Sequence, residues 1–528
     1  MSESPTIVGK LTSPAPEGRG AFASTIFSNI LANLARAAAV SLVTLLLPAY
    51  LTHRLPVAMY AAWVLILQLG AYVSYLDLGI QTGISKFVAE YDALGDHTSA
   101  GRHASAGFAL MMLAGTLGLG LTGFLAWQVP HLFASMPANL YHQVRMGLLL
   151  VGSSLSFGLV CAVYSAVFLG LQRYWIPTTV TILNRTAFVA VVVAVVALHG
   201  NLAAMGLAVA VVNVSTGLLQ VAAWWQKAWH VPLSIRLVEF RVLKNVAHFC
   251  SLQSIWTIGM LCVTGLDITI VGHYDYGQTA YYSIATLPTN FVLLIVSSML
   301  GPLMPASSAL STRESPSSMG DFLARITRYS TVILLLTALP LMVWGLPVLR
   351  LWVGPSYATH TVTYLRILIA ANVIRNLCAP YATMISATGQ QAAATATAIS
   401  EAVVNLGSSI YLASRFGAIG VAIGTLIGSF VSVGLHFAIT MRFTHRTLAI
   451  SRSRLFHRGL LHPAVVVLPS VLLLLLWRAS HSPSLQPAVV FVWAASTLAL
   501  AWFGALGKSE RSDVMQLVGR CRLLTAKL

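Results

Sequence analysis

Three arginines stand inside stretches that are otherwise apolar enough to cross a membrane: Arg36, Arg185 and Arg375. A guanidinium group cannot be neutralised by losing its proton, and placing a charge near the centre of a bilayer costs at least about 2.5–3.5 kcal/mol on insertion scales. Each arginine must therefore face an acidic partner or a water-filled cavity. Glu401 is the single acid that we place at comparable depth, so at least two of the three cations are predicted to have no acidic partner.

Amide side chains accompany each of these arginines. They are Asn29 and Asn33 before Arg36, Asn184 beside Arg185, and Asn372 and Asn376 around Arg375. Residues spaced i, i+3, i+4 and i+7 share one face of a helix. Cations and amides around an aqueous cavity suit a multiply anionic ligand, above all phosphate or pyrophosphate, which arginine binds bidentately. Hydrogen bonding between helices is the alternative role of the asparagines.

Three acids are candidates for binding a proton or a cation at or near membrane depth. Glu401 is the best of them, because it lies within a span, with Asn405 one turn later. Asp77 and Asp267 lie near predicted span ends, where a structural role is the alternative: an acid there can bind a neighbouring backbone or an interfacial Lys or Arg.

Composition identifies a membrane protein. Of 528 residues, 57% are hydrophobic and 9% charged, and the mean hydropathy is +0.79; soluble domains carry about 25% charged residues. The net charge of +17 is explained by basic residues in cytoplasmic loops, and no motif supports nucleic-acid binding. The five cysteines have no CxxC or metal-ligand spacing, so we expect neither a metal site nor a cofactor.

Fourteen apolar spans are predicted, each long enough for a bilayer core of about 30 Å. They lie near 22–50, 57–81, 104–128, 144–171, 176–198, 201–225, 247–272, 277–303, 326–349, 360–387, 391–414, 417–441, 463–478 and 487–506. Twenty-two Lys and Arg residues fall on one side of this arrangement, six on the other, and three within spans. The positive-inside rule then places both termini in the cytoplasm.

An internal repeat relates the first six spans to the next six. Segments starting at Gly170 and Gly389 share a polar linker, a span, a Gly-containing turn and a small-residue span, and 58–66 resembles 279–287; both offsets are about 220 residues. Since six is even, the halves keep one orientation, and such repeats place the substrate path between them. The predicted regions are a disordered cytoplasmic tail (1–21), an N-terminal six-helix bundle (22–225), a cytoplasmic amphipathic linker (226–246), a C-terminal six-helix bundle (247–441), and two further helices with a basic tail (442–528).

Three segments resemble polysaccharide (Wzx-type) flippases. They are "LPAYLTHRLPVAMYAAWVLILQLGAYVSYLDLGIQTGISKFVAEY", "GLDITIVGHYDYGQTAYYSIATLPTN" and "CAPYATMISATGQQ" with "AIGVAIGTLIGS". The similarity covers about 22–441 and rests on the order and spacing of loose motifs. The chain departs from the pattern before Tyr60, where the usual glycine is missing.

This family belongs to the multidrug/oligosaccharidyl-lipid/polysaccharide (MOP) exporter superfamily, with the multidrug-and-toxin (MATE) antiporters and the lipid II flippase MurJ. The resemblance implies an all-α polytopic fold of two pseudo-symmetric six-helix bundles around a cationic cavity, here followed by two C-terminal helices. The implied function is that of a monomeric flippase of the bacterial inner membrane, which moves undecaprenyl-pyrophosphate-linked oligosaccharide to the periplasmic leaflet for O-antigen, capsule or exopolysaccharide synthesis. A polysaccharide polymerase is a candidate partner.

Three other functions are weighed against this one. A MATE-like cation antiporter should have an acidic or aromatic cavity, which the excess of arginine disfavours. A MurJ-like lipid II flippase should carry more Arg in its first, second and eighth spans, and 277–303 has no basic residue. A membrane enzyme such as a glycan polymerase needs a sizeable periplasmic loop, and none is predicted, so we expect no enzymatic activity.

Overall fold

A computed structural model describes residues 45–301, 303–311, 314–445, 447–479 and 486–507, with Arg511 and Met515. The described chain is all α-helical, which confirms the predicted fold class. Ten of its helices are long and apolar enough to cross a membrane, or eleven if the bent pair Thr257–Gly265 and Asp267–Tyr274 is one span. The chain is thus a multi-pass membrane protein, and a helix lies at each predicted span from the second to the fourteenth.

The N-terminal bundle consists of the first seven helices. They are α1 (residues 45–54), α2 (Val57–Ala71), α3 (Ile80–Ala93), α4 (His97–Leu132), α5 (Ala138–Gly170), α6 (Trp175–Ala197) and α7 (Leu202–Lys227). A 3₁₀ turn, Tyr72–Asp77, follows α2, and Leu78 and Gly79 then adopt φ angles of 46° and 82° that end this turn before α3 begins. Most of the predicted first span, 22–50, lies outside the described residues.

The segment 82–103, between the second and third predicted spans, is largely helical. α3 continues to Ala93 and α4 begins at His97. The reason is amphipathicity: Ile80, Ile84 and Val88, four residues apart, bury one face of α3 within the bundle.

The C-terminal bundle repeats this arrangement. Its helices are α9 (Asp267–Tyr274), α10 (Thr279–Leu300), α11 (Leu303–Ser311), α12 (Pro316–Val353), α13 (Pro355–Asn376), α14 (Ala379–Ala387), α15 (Gln391–Phe416), α16 (Ala418–Leu435) and α17 (Met441–Phe443). Beyond it lie α18 (Arg452–Arg454), α19 (Leu468–Ala479) and α20 (Gln486–Ala499). A π-helix, Leu455–Leu461, and a 3₁₀ turn, Pro463–Val467, join α18 to α19.

One helix, α8 (Phe240–Met260), connects the two bundles. It packs on α3 and α4 of the N-terminal bundle and on α15 of the C-terminal bundle. The Cys250 Sγ lies 3.7 Å from the Gly79 carbonyl oxygen, and Ser254 donates a hydrogen bond of 3.3 Å to the carbonyl of Leu78. A π-helical turn, Leu261–Gly265, links α8 to α9, and the two segments are inclined by 40°.

Apolar packing differs between the two faces of the molecule. We call the face that carries the α3–α4 and α7–α8 connections, with Lys86, Arg102 and Lys227, the basic side. Toward the opposite side, one apolar cluster joins both bundles; it includes Trp63, Phe133, Tyr282 and Tyr364. Toward the basic side, the described residues form separate clusters, one around Ile84 and Phe168 and another around Leu323 and Tyr381. The bundles are therefore closed against each other on the opposite side.

Polar contacts reinforce this closure. Tyr276 of the C-terminal bundle donates a hydrogen bond of 2.6 Å to the carbonyl of Ala58, and Trp352 donates one of 2.7 Å to that of Leu45. The rings of Tyr60 and Tyr357 meet edge to face, with centroids 6.2 Å apart.

Candidate functional site

A polar pocket of about 290 Å³ lies within the N-terminal bundle. It is bounded by the 3₁₀ turn after α2, the start of α3, and the facing parts of α5, α6 and α7. Its polar lining residues are Ser74, Gln81, Ser154, Thr181, Asn184, Arg185, Asn213, Thr216 and Gln220. None of its described lining residues is acidic.

Hydrogen bonds between helices hold one wall of this pocket. The side-chain amide of Asn184 on α6 donates to the hydroxyl of Thr216 on α7 over 2.9 Å and to the side-chain oxygen Oδ1 of Asn213 over 3.5 Å. Asn213 in turn donates to the hydroxyl of Ser154 on α5 over 3.0 Å. Asn184 thus fixes α6 against its neighbours and leaves the next residue, Arg185, to face the pocket.

Arg185 forms no hydrogen bond or ion pair within the described part of the chain. Its guanidinium group lines the pocket among hydroxyl and amide side chains. A permanent cation without an anionic neighbour, in a pocket that water can occupy, is an anion-binding arrangement in its charge and donor set.

In the C-terminal bundle the arginine is paired. The Nε of Arg375 lies 2.5 Å from Oε1 of Glu401, and the two side chains are only 14% and 10% exposed. Arg375 also retains a buried Nη2 without a hydrogen-bond partner among the described residues. Glu401 therefore neutralises Arg375 and not Arg185.

Asp267 adds a second buried acid close to this ion pair. The prediction placed it near a span end, but it lies at the bend between α8 and α9, 6% exposed. It accepts hydrogen bonds of 3.3 Å each from Tyr282 and Thr425 through Oδ2, and its Oδ1 has no partner in the described chain. Arg375 is near enough to act on it electrostatically. With Glu401 this makes two buried acids and one arginine in the C-terminal bundle.

The remaining predicted residues bond locally or lie outside the described chain. Asn372 and Asn376 donate to backbone carbonyls of their own helix, those of Leu368 and Asn372, over 2.9 and 2.8 Å. Asp77 accepts from the backbone N–H of Gln81 over 3.2 Å and caps the start of α3. Asn29, Asn33 and Arg36 lie outside the described residues.

Sequence reasoning missed most of the polar lining of the pocket. Asn213, Thr216 and Gln220 are spaced i, i+3 and i+7 within an apolar span, so they share one face of α7. The same criterion that singled out Asn29, Asn33 and Arg36 would have found them.

The helix pair α15–α16 is packed without a comparable gap. A Cβ atom added at Gly424 would lie 2.5 Å from the backbone N of Ser409, and one at Gly428 would lie 2.7 Å from the Cβ of Asn405. By contrast, a Cβ added at Gly158, in the wall of the N-terminal pocket, would meet nothing within 4 Å. Only glycine permits the close approach in the C-terminal bundle.

Neither a protein-family model nor a curated protein sequence matches the chain. Several solved structures, however, match the chain. The lipid II flippase MurJ in an inward closed conformation matches with a TM-score of 0.66 at 13% identity, over 90% of this chain and 99% of that one. A multidrug resistance MATE transporter of the MOP superfamily matches in its inward-facing conformation with a TM-score of 0.63 at 15% identity, over 80% and 99%.

An outward-facing MATE structure aligns less well, with a TM-score of 0.55 at 16% identity over 81% of this chain and 94% of that one. The chain therefore has the fold that MATE transporters and the lipid II flippase MurJ share.

Proposed function

We propose that the chain is a flippase that carries polyprenyl-pyrophosphate-linked oligosaccharide across the bacterial inner membrane by alternating access. The observation that carries this proposal is Arg185, a cation without an anionic partner in the described chain, placed in a polar pocket whose described lining contains no acid. The polyprenyl tail stays in lipid while the pyrophosphate and the glycan cross through the polar interior. Arginine offsets the cost of desolvating the pyrophosphate.

The separation of apolar clusters supports the direction of loading. By the positive-inside rule the basic side is cytoplasmic. Bundles joined on the opposite side and separated on the basic side then expose the N-terminal pocket to substrate made at the cytoplasmic leaflet. Rocking of one bundle against the other reverses this exposure. That one structural neighbour is a lipid II flippase supports a lipid-linked substrate.

The C-terminal bundle supplies the candidates for energy coupling. Glu401 is engaged by Arg375, whereas Asp267 has a buried oxygen without a hydrogen-bond partner among the described residues. We therefore assign the binding of a coupling proton or cation to Asp267 ahead of Glu401. Asp77 is the weakest of the three candidates, because it caps α3.

A deletion strain tests the proposal. Without the chain, the lipid-linked glycan should accumulate on the cytoplasmic leaflet and surface polysaccharide should fall, and plasmid-borne wild type should restore both. Arg185→Ala should fail to restore them at equal membrane abundance. Normal surface glycan in a strain without paralogues would overturn the proposal.

A MATE-like cation antiporter is the second candidate, because Asp267 and Glu401 are buried acids and the fold is shared with MATE transporters. A MurJ-like lipid II flippase is favoured by the shared fold alone. Proteoliposomes distinguish the three when the purified protein is offered a fluorescent polyprenyl-pyrophosphate oligosaccharide, lipid II or a cationic drug in turn. We expect transport of the first substrate only.

A further inference from the structure

A cluster of two imidazoles and one carboxylate lies on the basic side, outside the lining of the polar pocket. It consists of Asp92 at the end of α3, His97 at the start of α4, and His230 in the connection between α7 and α8. One ligand atom from each residue lies within 4.8 Å of the others. From this geometry we infer a binding site for a divalent transition metal, with Zn²⁺ as the representative ion, that fastens the α7–α8 connection to the N-terminal bundle.

The distances suit tetrahedral coordination with little rearrangement. The Nδ1 of His97 lies 3.5 Å from Oδ1 of Asp92, and the two imidazole rings meet edge to face with centroids 5.2 Å apart. Ligands held at about 2.0–2.2 Å from one zinc ion lie about 3.3 Å from each other. Small side-chain rotations therefore bring all three donors to one ion, and water takes the fourth position.

The backbone around the three donors is well supported. Asp96 caps α4 by accepting from the N–H of Ser99 over 2.9 Å, and Gly95 turns the chain at a φ of 71°. On the other side of the cluster, Ala228 and Val231 are fully buried, and the indole of Trp224 donates to the carbonyl of Val231 over 3.3 Å. The donors thus come from two fixed segments that are distant in sequence.

The donor types decide the metal class. Imidazole nitrogen with one carboxylate suits Zn²⁺, Co²⁺ or Ni²⁺, whereas Mg²⁺ and Ca²⁺ prefer oxygen ligands throughout. Metal binding requires neutral imidazoles. The nearby cation Arg173 is held by a hydrogen bond that its guanidinium donates to the carbonyl of Lys227.

Bound metal would act on the connection between the bundles. This connection is already attached to α4 by the ion pair between Arg102 and Glu239 at 3.2 Å and by the hydrogen bond of 3.3 Å from Ser105 to the carbonyl of Pro232. A metal bridge from His230 to the α3–α4 turn adds a stronger attachment at its start. The movement of α8 relative to the N-terminal bundle would be restrained in consequence.

Zinc titration of the full-length protein in detergent tests the site. By calorimetry the wild type should bind one more Zn²⁺ than His97→Ala or His230→Ala, and Asp92→Asn should bind it at least about tenfold more weakly. Exposed His142 lies outside the cluster, so His142→Ala is the matched control and should bind as the wild type does.

A spectroscopic measurement separates a built site from scattered surface histidines. Co²⁺ bound to the wild type should give the visible absorption of tetrahedral coordination, and His97→Ala should lose it. His97 is exposed at the helix start, so this variant should keep the unfolding temperature of the metal-free protein. Equal zinc stoichiometry and equal spectra in wild type and His97→Ala would overturn the inference.

Discussion

The helix pairs α6–α7 and α15–α16 correspond to each other in the internal repeat predicted from the sequence, yet the surroundings of their polar residues differ. In the first pair, Arg185 faces a pocket of about 290 Å³ without a partner in the described chain. In the second, Glu401 is bonded to Arg375, and α15 and α16 approach so closely that Gly424 has no room for a side chain. One scaffold thus presents an open cationic site and a closed, charge-compensated one.

The contrast teaches that charge alone does not define a binding site in a membrane interior. Arg185 and Arg375 looked equivalent in sequence, and only their neighbours separate them. In a buried ion pair the two charges compensate each other, whereas a lone cation in a polar pocket remains available to bind an anion. We therefore assign ligand binding to the N-terminal bundle, and structure and coupling to the C-terminal bundle.

The largest expected effect comes from breaking the ion pair. Arg375→Ala leaves Glu401 buried without its partner and should lower the free energy of unfolding by about 3–5 kcal/mol. Thermal unfolding in detergent measures this loss. The double variant Arg375→Ala/Glu401→Ala should recover most of it, and wild-type stability of the single variant would show that the pair is not buried in the membrane.

Removing the lone cation should affect transport and not stability. Arg185→Ala loses a charge-assisted hydrogen bond worth about 1.5–3 kcal/mol, which corresponds to about a 10- to 150-fold slower transport at low substrate. The unfolding temperature should not change. Arg185→Lys keeps the charge but not the bidentate geometry, so its transport rate should lie between those of the wild type and Arg185→Ala. Wild-type transport rates in both variants would contradict the assignment.

Two glycine substitutions compare the packing of the bundles directly. Gly424→Ala forces α15 and α16 apart and should cost about 1–3 kcal/mol of stability. Gly158→Ala adds the same methyl group to open space at the pocket wall and should leave stability unchanged. Equal unfolding temperatures for the two variants would contradict the inferred difference in packing between the two bundles.

The smallest effect is expected from the asparagines. Asn213→Ala removes the hydrogen bonds that join α7 to Ser154 and Asn184 and should cost about 0.6 kcal/mol, the average for such interactions in membranes. Asn372→Ala is its counterpart, because Asn372 bonds only to its own helix, and it should cost less. Chemical denaturation of both variants in mixed micelles measures the difference, and a larger loss for Asn372→Ala would reverse the order.

The positions of the spans could be predicted from sequence because each follows from a run of apolar residues. The helical part of 82–103 could not be predicted in this way. Because α3 is amphipathic, its polar residues lower the averaged hydropathy to a value typical of a loop. The 40° bend at Asp267 was equally hidden, because its two arms, Thr257–Gly265 and Asp267–Tyr274, form one apolar stretch of sequence. Helix interruption by a π-turn leaves no distinctive residue pattern.

The site was predictable in part. Apolar surroundings singled out Arg185, Arg375 and Glu401 as residues that need a partner or water. Which of them pair depends on helix rotation and on contacts between α13 and α15, and such distances are set by packing and not by spacing along the chain. Hence the sequence named the participants of the Arg375–Glu401 pair without joining them.

One apolar cluster joins the bundles on the side opposite the basic side. Its composition determines which conditions can separate the bundles there. Its members, Trp63, Phe133 and Tyr282 among them, carry no net charge, so a membrane voltage exerts no direct force on this seal and added salt does not weaken it. Apolar association weakens on cooling. Separation of the bundles on that side should therefore respond to temperature and to the thickness of the bilayer. Ions and voltage should affect this separation only indirectly, through the charged groups nearer the middle of the helices.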